Sequence, residues 1–417
     1  MLNRLKANLA DFFQQADLVL LGLCCVATLY GIVLIFSATR YLGSNKLVVV
    51  QFVAMLLGIC MYIAFSMVDL EVLMKRWKWV LAFNIGFILL LRTPLGISRG
   101  GNRAWLKFPG IPVNIGPAEV VKITFVLLLA KQLEWLREEK RDLRSFPSAL
   151  MVGGHAIGMC AFYFLISGDM GNGLVFLFIF ICMAFVAGFA LRWFALLIGG
   201  GTAAVAAAWK LGIMPEYMQG RFLALFDHDY DPLGVGWHQN RSLLTLGAGG
   251  WFGQGYLKGT QTQSADSWSL PGRHTDFIFS VCGEELGLLG CLAVVALLAA
   301  IIVRVLLVAK NSQTSFYCCV CVGMAAMLIF QTLINIGMCL FIMPTIGITL
   351  PFFSYGGSSI VTLFAAMGVV SGIKKRSPAM RRPGRPIRLK AVDGMFGDHI
   401  KSSREAAARL MKASGIK

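Results

Sequence analysis

The sequence predicts an all-α polytopic membrane protein of about ten transmembrane helices, with a large extracytoplasmic loop between spans seven and eight. Three observations carry this. The 417 residues are 57% hydrophobic and 14% charged, with a mean hydropathy of +0.71, whereas soluble domains carry about 25% charged residues. Apolar runs of about 20 residues, the length of a bilayer-crossing helix, recur along the chain. The cations are unevenly placed. With both termini inside, 26 of the 38 Lys and Arg residues fall on the cytoplasmic side, as the positive-inside rule requires.

The spans are expected at 18–38, 47–68, 78–92, 115–134, 149–167, 171–190, 192–210, 276–304, 314–341 and 346–372. The third is short, and the seventh is rich in Gly and Ala. The polar start, Met1 to Ala16, precedes a run too long for a signal-peptide core and without a clear cleavage site, so the first span is retained. A membrane domain over 1–375 is followed by a basic cytoplasmic tail, 376–417, suited to contact with anionic lipid; Ser402 and Glu405 there have capping-box spacing. This distribution accounts for the net charge of +17 without nucleic acid. The eleven cysteines lie in apolar segments and read as small buried hydrophobes, with no disulfide or metal framework.

The outer loop, about 211–275, is long enough to imply a role. Its Tyr217–Phe226 stretch has amphipathic helical spacing, and its glycines at 247, 249, 250, 253 and 255 permit tight turns.

At the end of that loop, in SLPGRHTDFIFSVCGEELGLLG, Asp276 meets the eighth span and Glu284 and Glu285 lie inside it. Carboxylates within a span are costly unless solvated or paired. Asp276 has two readings: a helix N-terminal carboxylate held by free amides and the dipole, or a general base at the membrane surface. On a continuous helix Glu284 lies about 12 Å deeper and about 80° around, and Glu285 points away, toward a basic residue on a neighbouring helix. In GNRAWLKFPGIPVNIGPAEVVKITF, Pro117 opens the fourth span, and Glu119 and Lys122 follow at i and i+3. They form a local ion pair, or Lys122 meets a phosphate; Trp105 nearby could be an interfacial anchor. Asp169 in SGDMGNG reads alone as a turn residue. In NIGMCLFIMPTIGITLPFFSYGGSS, Asn335, Pro344, Pro351 and a Ser/Gly cluster interrupt two apolar segments, which is tolerated at membrane depth only where backbone is buried or lines a cavity.

Together these stretches resemble the SEDS family (shape, elongation, division, sporulation; RodA/FtsW/SpoVE-like) over 16–375. The resemblance implies ten spans, cytoplasmic termini and a large outer loop. It also implies a peptidoglycan glycosyltransferase that polymerises lipid II at the outer face of the cytoplasmic membrane, in cell elongation or division, beside a class B penicillin-binding protein transpeptidase. It places the essential aspartate on Asp276. Substrate contacts fall on Trp105, Glu119, Lys122, Asp169 and Arg221, and the signature stretches add His274, Thr275, Ser354, Gly356, Gly357 and Ser358. Two positions depart from the pattern: Gly116 stands where Gln is usual before Pro117, and Asn114 where some members carry a basic residue. No cofactor is specified; a divalent cation, Mg or Mn, is compatible with a departing pyrophosphate, but its ligands are not identified. The alternative functions are a lipid II flippase and a non-catalytic scaffold that activates a penicillin-binding protein.

Overall fold

A computed structural model describes residues 16–99, 102–110, 114–139, 142–227, 230–231, 233–234, 236–266 and 269–377. The polar start and nearly all of the basic tail, with its Ser402/Glu405 spacing, lie outside the described residues.

The helices are α1 (Leu18–Thr39), α2 (Lys46–Met67), the short α3 (Leu70–Lys75), α4 (Trp77–Leu89), α5 (Pro117–Glu138), α6 (Phe146–Ser167), α7 (Met170–Ala187), α8 (Leu191–Lys210), α9 (Glu216–Phe226), α10 (Trp237–Gly249), the short α11 (Thr260–Gln263), α12 (Ile278–Lys310), α13 (Ser315–Cys339) and α14 (Gly357–Arg376). Between α4 and α5 an antiparallel hairpin pairs β1 (Gly96–Arg99) with β2 (Asn102–Leu106). Among the described residues, eight helices are long and apolar enough to cross a membrane: α1, α2, α6, α7, α8, α12, α13 and α14. The other two expected spans hold α4, which has 13 residues, and α5, whose 22 residues carry several charges. The chain is thus a multi-pass membrane protein. The amphipathic Tyr217–Phe226 spacing is realised as α9.

Local chemistry sets the helix ends. Asp17, Asp69, Asp169 and Thr314 cap α1, α3, α7 and α13 by accepting from backbone amides. Pro117 takes the first turn of α5, and left-handed Gly168 and Gly188 close α6 and α7. Small residues let α2 and α14 approach closely: a Cβ at Gly368 would lie 2.5 Å from the Tyr62 carbonyl oxygen. At the ends of α12 and α14 away from the outer loop, buried Asp17 pairs with Arg304 at 2.8 Å and Lys374 at 3.1 Å, and its amide donates to Ser371 Oγ. By contrast, no residue of α8 is buried.

Two expected spans are corrected. The tenth helix starts only at Gly357, because 344–356 is irregular backbone punctuated by Pro344 and Pro351. The eighth is not continuous. Gly287, with φ 68° and ψ −165°, breaks α12 into 278–286 and 288–310. The loop after α10 enters this break: Leu288 and Leu289 N–H donate to the Gly250 and Trp251 carbonyls, and Gln254 and Gly255 N–H donate to those of Glu284 and Glu285. Depth and angle estimates for Glu284 and Glu285 that count helical turns from Asp276 do not apply either, because the helix begins only at Ile278.

A Cβ at Gly287 would meet Gly253 N at 2.4 Å and Trp251 O at 2.5 Å, and its φ disfavours any L side chain. Gly287→Ala should lower the thermal unfolding midpoint of the detergent-purified protein by several degrees. Gly22→Ala, mid-helix with nothing within 4 Å of the added methyl, should leave it unchanged or slightly raised. Equal midpoints for the two variants would contradict a break that the loop depends on.

Candidate active site

The site is organised by the turn that leads into α12. Gly272, with φ +56°, folds the chain back so that its carbonyl accepts from the Thr275 and Phe277 amides. Asp276 sits in this turn, two residues ahead of the helix. Its main chain is held from across the fold by the end of α13 and the segment between α13 and α14. The His274 carbonyl accepts from Tyr355 N–H at 2.8 Å. The Thr275 carbonyl accepts from Ser354 Oγ at 2.6 Å, and Ser354 Oγ accepts from Leu350 N–H. The Asp276 carbonyl accepts from Asn335 Nδ2 at 2.8 Å, and the same amide donates to the Ile348 carbonyl at 2.7 Å. Three consecutive carbonyls are thus fixed. Among the described residues no hydrogen bond falls on the Asp276 carboxylate.

That carboxyl is half-buried. Burial, and then the negative charge of Asp169, push it up to about 6. Asp169 caps α7 and lies at the end of a polar chain that begins in α5. Lys122 Nζ, fully buried, is 2.8 Å from Glu119 Oε1 and donates to Asn172 Oδ1 at 3.2 Å. Asn172 Nδ2 donates to Asp169 Oδ2 at 2.8 Å, and its backbone amide donates to Oδ1. The N-terminus of α7 rests on the loop before α14, since a Cβ at Gly171 would lie 2.5 Å from the Ile346 carbonyl oxygen. That loop is tied to Asp276 through Asn335.

The remaining residues named from the sequence fall around this centre. Trp105, half-buried on β2, packs on the start of α5, with its ring 3.4 Å from where a Gly116 Cβ would be. A Cβ at Gly116 would make ordinary contact with the indole. Ser358 Oγ accepts from Gly116 N–H at 3.3 Å, joining α14 to that turn. Gly356 N–H donates to Gln51 Oε1, whose Nε2 donates to the Ser354 carbonyl, and Gly357 begins α14. Arg221, on α9, lowers the pKa of His238, for which burial is the larger cause; the His238 ring lies 6.2 Å from Phe277, next to Asp276. The His274 ring faces Tyr355 at 5.8 Å, and burial followed by Arg273 lowers its pKa.

Glu284 and Glu285 stand apart and serve the loop. Glu284 accepts from the Gln261 and Thr262 amides at 2.7 and 2.8 Å and from both the Thr260 and Thr262 hydroxyls. Among the described residues Glu285 does not pair with a basic residue, contrary to the sequence expectation: Ser37 Oγ at 2.7 Å and Gln263 Nε2 at 2.9 Å donate to it. The break at Gly287 brings α11, rather than a cationic helix, over these carboxylates.

Sequence reasoning passed over Asn172 and gave Asn335 only the role of a helix interruption. The first had a signal: Asn three residues after a capping Asp is placed to bond back to it. Gln51, inside an apolar run, had none beyond its polarity.

The raised carboxyl has a signed consequence. Its folded value lies above the unfolded ~3.9, so ionising it costs the fold stability as pH rises from about 4 to about 6, and the cost persists above. Asp276→Asn should therefore have a higher unfolding midpoint than the native chain at pH 7.5, and the gap should close near pH 4. A gap that grows on acidification would have the wrong sign.

The model of the FtsW/RodA/SpoVE family, described as "Cell cycle protein", matches residues 13–378. A probable peptidoglycan glycosyltransferase FtsW of Geobacter sp. (strain M18) is 30% identical over 378 residues, covering 86% of this chain and 97% of the relative. The peptidoglycan glycosyltransferase MrdB of Escherichia coli (strain K12) is 36% identical over 284 residues, covering 66% and 72%. Among solved structures, rod shape determining protein RodA of Thermus thermophilus superposes with a TM-score of 0.61 at 26% identity, covering 87% of this chain and 97% of that one. A chain from a structure titled for the coordination of polymerization and crosslinking by a peptidoglycan synthase complex gives a TM-score of 0.72 at 28% identity, covering 87% and 98%. The chain belongs to the FtsW/RodA/SpoVE, or SEDS, family.

Proposed function

We infer that this protein is a peptidoglycan glycosyltransferase that polymerises lipid II into glycan strands at the outer face of the cytoplasmic membrane, with Asp276 as general base. The observation that carries the catalytic assignment is the placement of Asp276. Its main chain is fixed at three successive carbonyls, while its carboxyl is half-buried, raised to about 6, and without a hydrogen bond among the described residues. A cap would use its oxygens on the first amides of the helix, as Asp169 does on α7. A base near neutrality suits abstraction of a proton from a sugar hydroxyl.

In the proposed step the acceptor hydroxyl loses its proton to Asp276 and attacks the anomeric carbon of the donor sugar. The C–O bond to the lipid pyrophosphate breaks, its electron pair leaves with the phosphate oxygen, and the α-linkage inverts to β. The leaving group is already an anion and needs cations more than a proton. Lys122 and Arg221 are assigned to it, and Glu119, Asn172 and Asp169 hold Lys122 in place. Mg or Mn at a pyrophosphate is held by one or two carboxylates, the phosphates and water; among the described residues no cluster of three or more His, Cys, Asp or Glu forms a ready-made cage, and no ligands are assigned. No step is routed through a cation.

The same reading takes ten spans, cytoplasmic termini, the outer loop at about 211–275 and a class B penicillin-binding protein as the transpeptidase partner. These rest on the charge distribution and the resemblance, supported by similarity to a chain of a peptidoglycan synthase complex. Ala265 is exposed on the loop. In Ala265→Cys, spheroplasts should react with an impermeant maleimide at that position, and reaction only after permeabilisation would reverse the topology.

Purified protein in detergent has no two leaflets, so polymer made there from lipid II separates an enzyme from a flippase or a scaffold. The native chain, with its partner, should make long strands. Asp276→Asn should lose at least ~10²-fold while keeping yield and partner co-purification, and Lys122→Met should lose ~10²–10³-fold. Full activity in folded Asp276→Asn would remove the base assignment, and no polymer from the native chain would favour the flippase or scaffold.

A further inference from the structure

A largely apolar cavity with one polar wall lies away from Asp276, at the opposite ends of α4, α5 and α6. Its volume is about 430 Å³, within the roughly 300–1,000 Å³ of small-molecule sites. Trp77, the first residue of α4, and Trp135, in the last turn of α5, flank it, and Leu128 lines its apolar wall. Its polar wall is built. Gln132 Nε2 donates to the Met151 carbonyl at 3.2 Å, and Gln132 Oε1 lies 2.8 Å from His155 Nδ1, so α5 and α6 are bridged there. Lys131 enters from the same face of α5, one-third exposed and 2.9 Å from Glu134.

The charge and the position select the ligand. Lys75, Arg76 and Lys78 surround Trp77 in the chain, and with Lys131 and Arg137 the cations of these two stretches outnumber Asp69, Glu71, Glu134 and Glu138 by five to four. On the proposed topology this is the cytoplasmic side. Tryptophans at this level mark the headgroup region, and basic pockets between helices on the cytoplasmic side suit anionic lipid headgroups. An ammonium has three donors; Glu134 takes one of those on Lys131, and a phosphate would take another.

We propose that this cavity binds the headgroup of an anionic phospholipid of the cytoplasmic leaflet, with its phosphate on Lys131 and its chains along Trp77, Leu128 and Trp135. The site is separate from glycosyl transfer and does not depend on the role of Asp276.

The test uses the full-length protein in mixed micelles holding equal phosphatidylglycerol and phosphatidylcholine with matched chains; retained lipids are counted by native mass spectrometry. The native chain should retain phosphatidylglycerol in excess, and Lys131→Gln should lower that excess about fivefold, the factor one basic residue contributes near an anionic surface. Lys131→Arg should keep it. Glu134→Gln, which releases Lys131, should raise it, and decides the matter if Lys131→Gln does not purify as a single species. Equal retention of the two lipids by the native chain would overturn the proposal and leave the cavity to a partner's helix. So would an excess unmoved by Lys131→Gln or Glu134→Gln.

Discussion

The fixed main chain from His274 to Asp276 is the constraint on which the rest of the site depends. Asn335, Ser354 and Tyr355 reach it from two places in the chain, the end of α13 and the loop before α14. Each hydrogen bond is worth only about 1 kcal/mol net, but a buried carbonyl left unmet costs about 1–3 kcal/mol, so the turn and the loop stabilise one another. Asn335 is the joint, because its single amide group serves both Asp276 and Ile348. The same loop seats the N-terminus of α7 through the Ile346–Gly171 contact, which brings the Asp169 charge to bear on Asp276. Irregular backbone at membrane depth is expensive unless its groups are met inside the protein, and here meeting them also aims a carboxyl.

The two glutamates deeper in α12 solve a different problem. A charge buried without partners costs several kcal/mol. Glu284 receives four donors, and hydrogen bonds to charged groups contribute about 1.5–3 kcal/mol each, enough to offset the burial. These donors come from the return loop, so Glu284 and Glu285 anchor that loop in the break at Gly287 rather than lining a transport path. The long loop before α12 and the turn at Asp276 are therefore parts of one structure.

Apolar runs were enough to find the eight helices long and apolar enough to cross a membrane among the described residues, because length and hydropathy decide that property; α4 and α5, at two further expected spans, fall outside it. The i,i+3 relation of Glu119 and Lys122 was legible because helix periodicity puts them on one face, and the pair is present. The partners of Glu285 were not legible, because the expectation ran helical periodicity back to Asp276, which sits in a turn ahead of the helix, and because Ser37 and Gln263 come from distant parts of the chain. The start of the last helix was misplaced for a related reason: residues 346–356 are apolar enough to read as helix, yet their backbone is committed to the turn at Asp276 and to Gln51. The bond from Asn172 back to Asp169 had a local signal, but its contact with Lys122 needed the approach of α5 and α7, which no local pattern encodes.

The central claim is that the fold holds Asp276 as a carboxyl that ionises near neutrality. Infrared difference spectroscopy of the native chain against Asp276→Asn isolates its carbonyl band across pH. That band should disappear with a midpoint near 6, and the midpoint should fall in Asp169→Asn, where the neighbouring negative charge is gone. A midpoint near the ordinary ~4 of an aspartate, or one that Asp169→Asn does not move, would contradict the account.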